Sequence, residues 1–225
     1  YINGTGKAEL TNCLITGNAH RYNTLLEGGG IYNAGTLNMF STTVAGNYSP
    51  TGGGLFTTGT TNIKNSIFWD NVAGIADPEI SGTAAVIYSD IEGGYTGSGN
   101  FDGDPSGTGN ISGMPMFFWS DPAAESTPTT GGDYHLKDIP GSNAVDAGKT
   151  GGIGVPADDL DGDLRVDGSI DMGADEVAID SNATLTGTAT AVAADDTSIS
   201  IEMDFTGDAN DDNSFTVNYK LSSDT

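Results

Sequence analysis

"MFSTTVAGN" (39–47) has two near copies in the chain, "LTNCLITGN" (10–18) and "IKNSIFWDN" (63–71). Each enters on an apolar residue (Leu10, Met39, Ile63), sets another five positions later (Ile15, Val44, Phe68) and ends in asparagine (Asn18, Asn47, Asn71). The copies stand 29 and 24 residues apart. A fourth, "VIYSDIEGG" (86–94), follows after 23 more, with Val86 and Ile91 in register and Gly94 in place of the asparagine. A second element keeps the same period: "GGGIYNAGTL" (28–37) returns as "GGGLFTTGTT" (52–61). Ile2 and Gly6 lie 29 residues before Ile31 and Gly35, so the repeat is expected to be running already at the first residue, with earlier coils outside this chain.

A period in the twenties, carried by short apolar runs with no sustained 3.6-residue stripe, predicts stacked coils of short strands. The expected fold is all-β: a right-handed parallel β-helix, a solenoid whose equivalent apolar residues stack from coil to coil and fill the interior. Glycine is expected where the chain corners with positive φ. Asn18, Asn47 and Asn71 share one corner and are expected to form an asparagine ladder. A leucine-rich repeat has a similar period but needs regularly spaced leucines, and leucine is sparse here.

Composition narrows the function. The chain has 225 residues, room for one large domain or two small ones. Its 31 acidic residues against 7 basic ones give a net charge of -24. That excludes nucleic acid and anionic membrane surfaces as partners, because phosphate neutralisation needs Lys and Arg. It suits cations and a screening ionic environment. The 34 glycines, with only 8 prolines, fit a turn-rich β chain. The single cysteine, Cys13, cannot form a bridge within the chain and reads as a small buried hydrophobe. No run is long and apolar enough to be a transmembrane helix.

Further along stand "YSDIEGG" (88–94), "GNF" (99–101), "YHLKDIPGSNAVDAG" (134–148), "DLDGDLR" (159–165) and "IDMGADE" (170–176), in that order. Together they resemble the C-terminal part of bacterial extracellular parallel β-helix proteins, often called choice-of-anchor domains, over about residues 8–177. "GDPSGTGNISGMPMFF" (103–118) carries an insertion relative to that pattern, and "NAVDAG" (143–148) replaces its usual "PAIDAG". The resemblance implies a secreted or cell-surface protein, usually large and multidomain, with no single catalytic activity attached to this region. The domains expected are coils over 1–113, a C-terminal closing module over 114–177, and a third region over 178–225. "MFFWSD" (116–121) reads as a strand covering the open end of the coils, with a sugar-stacking platform of Trp69, Phe117, Phe118 and Trp119 as the competing reading; "IDMGADE" reads as a last strand with Ile170 and Met172 inward.

In the third region "SISIEMDF" (198–205) and "FTVNYKL" (215–221) alternate apolar and polar residues, the period of half-buried antiparallel strands. With "ATLTGTATAV" (183–192) before them, they look like the first strands of a fibronectin type III or Ig-like β-sandwich. Such a sandwich needs about 100 residues, so only part of one is expected here.

Candidate metal ligands are Asp159, Asp161 and Asp163, at alternate positions around Gly162, and Asp208, Asn210 and Asp212 with the same spacing. Alternate carboxylates in a tight turn can supply several of the 6–8 oxygens Ca²⁺ takes. The competing reading of the first turn is a solvated loop in which Arg165 pairs with a carboxylate. His20 and His135 have no metal-ligand spacing and read as loop or surface residues. No catalytic residue is assigned. A uronate lyase needs a base, and Lys7, Arg21 and Lys64 do not fall in one register. A glycosidase needs paired carboxylates; Asp70, Asp77 and Asp90 lie on neighbouring coils but read as surface acids. The function expected is therefore structural or adhesive, extracellular, with other copies of itself, other surface proteins or glycans as partners and Ca²⁺ as a rigidifying ion. A polysaccharide-binding or polysaccharide-degrading β-helix enzyme, its active site on coils outside this chain, is the alternative.

Overall fold

The structure, a computed structural model, describes residues 1–20, 27–95, 110–123, 127–137, 139, 142–165 and 169–177, together with the backbone of four strands between 185 and 206. The chain divides into two compact units, Tyr1–Val177 and Ala178–Thr225. Among the described residues it is all-β, with no helix.

The repeats of the first unit begin with β1 (Lys7–Thr11), β2 (Leu14–Thr16), β3 (Ile31–Asn33), β4 (Thr36–Phe40), β5 (Thr43–Ala45) and β6 (Tyr48–Thr51). They continue through β7 (Leu55–Thr57), β8 (Thr60–Lys64), β9 (Ile67–Trp69), β10 (Val72–Ala76), β11 (Ile80–Gly82), β12 (Ala85–Ile87) and β13 (Asp90–Ile91). Every pairing among them is parallel and joins equivalent strands of successive repeats: β1-β4-β8-β12, β2-β5-β9-β13, β3-β7-β11 and β6-β10.

Register follows the apolar pattern, because a one-residue slip would turn each apolar set outward. Leu10, Met39, Ile63 and Val86 stand opposite one another, as do Ile15, Val44, Phe68 and Ile91, and Ile31, Leu55 and Ile80. These residues form one continuous core. Burying each aliphatic or aromatic side chain is worth about 1.5–3 kcal/mol.

Strands are short because the backbone bends at fixed places. Asn12, Ser41, Asn65 and Tyr88 are all left-handed, with φ of 43–50°, at one corner of four repeats. Gly17, Gly46 and Asp70 are left-handed at the next corner. Glycine is thus not the general corner residue. At Gly29 it serves close approach instead: a Cβ there would lie 2.4 Å from the carbonyl oxygen of Gly53 in the next repeat.

The C-terminal residues of the first unit run along the sides of this stack. Ser120 meets Asp70, Ala123 N donates to Gly46 O at 2.7 Å, and Thr129 N donates to Gly17 O at 2.9 Å, so this run passes the second corner of the third, second and first repeats in turn. A later run does the same at the other corner. Lys149 exchanges two hydrogen bonds with Asn65 (2.9 and 3.0 Å), Gly154 lies on the Phe40 ring, and Asp158 O accepts from Asn12 Nδ2. "MFFWSD" therefore lies on a flank and not over an open end. β14 (Phe117–Trp119) pairs antiparallel with β15 (Asp133–Leu136) there, and Trp119 is 61 % exposed. Ile170 and Met172 are buried, but their segment makes a single antiparallel bridge, Gly148 to Ile170, and no strand. Met172, Leu136, Ala144 and Val177 pack on Ile67 as a second core, which is what seats these runs.

In the second unit, β16 (Leu185–Thr186) pairs antiparallel with β19 (Phe205–Thr206), and β17 (Thr190–Ala193) with β18 (Ile199–Glu202). "FTVNYKL" lies outside the described residues.

Candidate functional site: polar ladders and an acidic seam

Each left-handed corner delivers the next residue's side chain into the stack, where its polar atoms need partners. Asn47 Oδ1 accepts the backbone N–H (3.0 Å) and the Nδ2 amide (2.8 Å) of Asn18. Asn71 Oδ1 accepts the same pair from Asn47 at 3.0 and 2.9 Å. Spare amide hydrogens go to strand carbonyls, from Asn47 to Ile15 O (2.9 Å) and from Asn71 to Val44 O (2.8 Å). Asn18, Asn47 and Asn71 are thus brought together as one ladder.

The other corner carries a second ladder that the sequence reading missed. Thr42 N donates to Ser66 Oγ (3.3 Å), Ser66 N to Ser89 Oγ (3.1 Å) and Ser89 N to Asn110 Oδ1 (3.1 Å). Each hydroxyl donates in turn to the carbonyl two residues back, at 3.0 Å. Cys13 occupies the equivalent place in the first repeat, its thiol 3.3 Å from Thr11 O. The signal was present as Thr42, Ser66 and Ser89 at repeat spacing, hidden by the change of residue type.

Glu79 terminates the asparagine ladder and was also missed. It is 4 % exposed, and burial lifts its carboxyl to about 9, the charge of nearby Glu92 adding to the rise. Glu79 and Glu92 line a cleft of about 690 Å³ with Asp77, Tyr95 and Asn110. Of the acids considered for catalysis, Asp70 accepts from Ser120, Asp77 accepts from Ser81 at 3.2 Å, and Asp90 is buried and accepts from Gly113 N at 3.1 Å. Burial raises Asp90 to about 7. Lys64 is fully buried with Nζ on Gly151 O at 2.9 Å; Arg21 lies outside the described residues.

The acidic stretch 159–176 is mostly a seam. Asp159 is buried; its Oδ1 accepts the backbone N–H groups of Asp161, Gly162 and Asp163, each at 2.8 Å, and Oδ2 accepts Glu176 N at 3.0 Å. Asp171 takes the amides of Asp146 (2.6 Å) and Val177 (2.7 Å). Glu176 Oε2 accepts Arg165 NH1 at 2.9 Å and Asp171 N at 2.8 Å, while Arg165 NH2 donates to Gly173 O at 2.9 Å. Arg165 therefore pairs with Glu176, beyond the turn. Burial outweighs these partners and raises Asp171 to about 6 and Glu176 to about 7.

In the same loop Asp161 is exposed and Asp163 half-buried. Burial and the charges of Asp159 and Asp161 push the Asp163 carboxyl up. Asp161 Oδ2 lies 2.7 Å from His135 Nε2, a neighbour 26 residues away that no local spacing could announce. Asp208, Asn210 and Asp212 lie outside the described residues.

Comparison of the chain with family models, curated proteins and solved structures finds no match.

Proposed function

We propose that this chain is a non-catalytic structural or adhesive segment of an extracellular, cell-surface protein. In this reading it is a right-handed parallel β-helix of the choice-of-anchor type, closed by its own C-terminal residues and followed by the start of a fibronectin III-like sandwich. The observation that carries the reading is where its polar chemistry is spent. Asn18, Asn47, Asn71, Thr42, Ser66 and Ser89 bond along the stack, and Asp159, Asp171 and Glu176 accept backbone amides that tie the closing runs down. Side chains committed in this way hold shape and have little capacity left for turnover.

Its work is display, adhesion or assembly into a surface layer, stalk or filament, with copies of itself, other surface proteins or glycans as partners. The net charge of -24 opposes nucleic acid and favours ion-screened surroundings. Ca²⁺ belongs to this proposal as a stiffener of the acidic turns; a calcium titration followed by melting tests it, and an unmoved transition removes it. Antibody labelling of intact source cells tests the location. Electron microscopy of the purified chain tests assembly.

A second reading rests on Glu79 and Glu92. Two acidic side chains lining one cleft are the residue types that glycoside cleavage uses, although Glu79 has both oxygens on Asn71. Assay on polyuronates and neutral glycans separates the two readings: no turnover is expected, and turnover abolished by Glu92→Gln would establish the enzyme.

A further inference from the structure

His135 on β15, Asp161 in the acidic turn and Asp175 near the end of the first unit come from three separate segments. One ligand atom from each lies within 4.8 Å of the others. A mixed imidazole and carboxylate set suits a borderline ion such as Zn²⁺ better than a hard one. Zinc bonds to N and O of about 2.0–2.1 Å place tetrahedral ligands roughly 3.3 Å apart, so the three groups need only small movements to close on an ion.

Two features give this cluster more than a coincidence of acids. Asp133 Oδ1 lies 2.5 Å from His135 Nδ1. That bond fixes the ring and leaves Nε2 aimed at Asp161, as an outer carboxylate orients a metal-binding histidine. Asp175 is 6 % exposed, and its Oδ2 accepts Leu136 N at 2.7 Å. One of its carboxylate oxygens stands within 4.8 Å of the ligand atoms of His135 and Asp161, so a buried acid faces an oriented imidazole. His135 and Asp161 are half-exposed, with side chains 46 % and 47 % accessible, which leaves an entry path.

We infer that His135 Nε2, Asp161 and Asp175 form a binding site for a divalent ion of the Zn²⁺ class, with Asp133 as the positioning residue and water completing the shell. The ion cross-links the β14–β15 hairpin to the acidic seam. The inference is independent of the structural or enzymatic reading of the chain.

The test is calorimetric titration of the whole chain with Zn²⁺, paired with Co²⁺ absorption spectra that report ligand type and geometry. One Zn²⁺ per chain is expected, with a Co²⁺ spectrum of nitrogen and oxygen ligation. His135→Gln, an exposed change that leaves the fold intact by circular dichroism, is expected to abolish both signals. Asp133→Asn is expected to weaken binding about 10–100-fold without changing stoichiometry. The proposal fails if no saturable binding occurs, if binding survives His135→Gln, or if equimolar Ca²⁺ displaces the Zn²⁺. A histidine that only pairs with its acids gives the first of these results.

Discussion

Both carboxylate oxygens of Glu79 accept hydrogens from Asn71, Oε1 from the backbone N–H at 3.2 Å and Oε2 from Nδ2 at 2.5 Å. The asparagine ladder thus ends on an acid that burial keeps protonated to about pH 9.

This ending makes stability depend on pH in a definite sense. The folded carboxyl titrates near 9, its unfolded counterpart near 4.5. Between these values the folded chain holds one more proton than the unfolded chain, so stability falls as pH rises. Glu79's contribution is complete below about pH 4.5 and gone above about pH 9. Glu79→Gln removes the titrating group and is expected to flatten the curve by up to about 1.4 kcal/mol per pH unit, while lowering stability at low pH because its Nε2 cannot accept a hydrogen from Asn71. Urea denaturation across that range measures it; parallel curves would refute it.

Position along the ladder decides what an asparagine is worth. Asn71→Ala strands the buried N–H and amide of Asn47 and is expected to cost about 3 kcal/mol. Asn18, exposed at the other end, has only its own donors to lose, and Asn18→Ala is expected to cost about 1 kcal/mol. Equal losses in chemical denaturation would contradict the ladder's polarity.

Arg165 is the one cation of the seam among the described residues, its side chain fully buried. Arg165→Ala leaves Glu176 without its cationic partner inside the protein and is expected to cost about 3–5 kcal/mol. Lysine has one donor centre where Arg165 reaches Glu176 and Gly173 with two nitrogens, so Arg165→Lys is expected to recover less than half of the loss. Amide exchange at Asp171 and Val177 reports the same damage locally.

Gly154 holds a closing run against the second repeat. It is left-handed, and a Cβ would stand 2.3 Å from the Phe40 ring. Gly154→Ala is expected to cost roughly 2–4 kcal/mol, from backbone strain and overpacking together. Phe40→Leu in the same chain is expected to restore part of it, which thermal denaturation of the double variant checks.

The stacking register was legible because it is written in one residue class at one spacing: Leu10, Met39, Ile63 and Val86 are all apolar and stand opposite one another. The asparagine ladder was legible for the same reason. The second ladder alternates Cys, Thr and Ser at one structural place, so its common chemistry, a small donor bonding two residues back, was invisible to identity. Non-glycine left-handed corners such as Tyr88 carry no sequence mark at all. The course of "MFFWSD" depends on which groove the chain enters after the repeats, a choice set by partners such as Gly17 and Gly46 more than 70 residues away.

Stacked repeats are ordinarily close to one-dimensional: each unit settles against its neighbour, and an array frays from its ends. The closing runs change that here. Asn12 of the first repeat finds its partner at Asp158, 146 residues later. Contacts of such sequence separation slow folding and bind distant units into one cooperative transition. The repeat that holds Asn12 therefore lacks one of its partners until residues near 158 are in place. Damage to the closing runs is felt at the far end of the described stack as well as beside them.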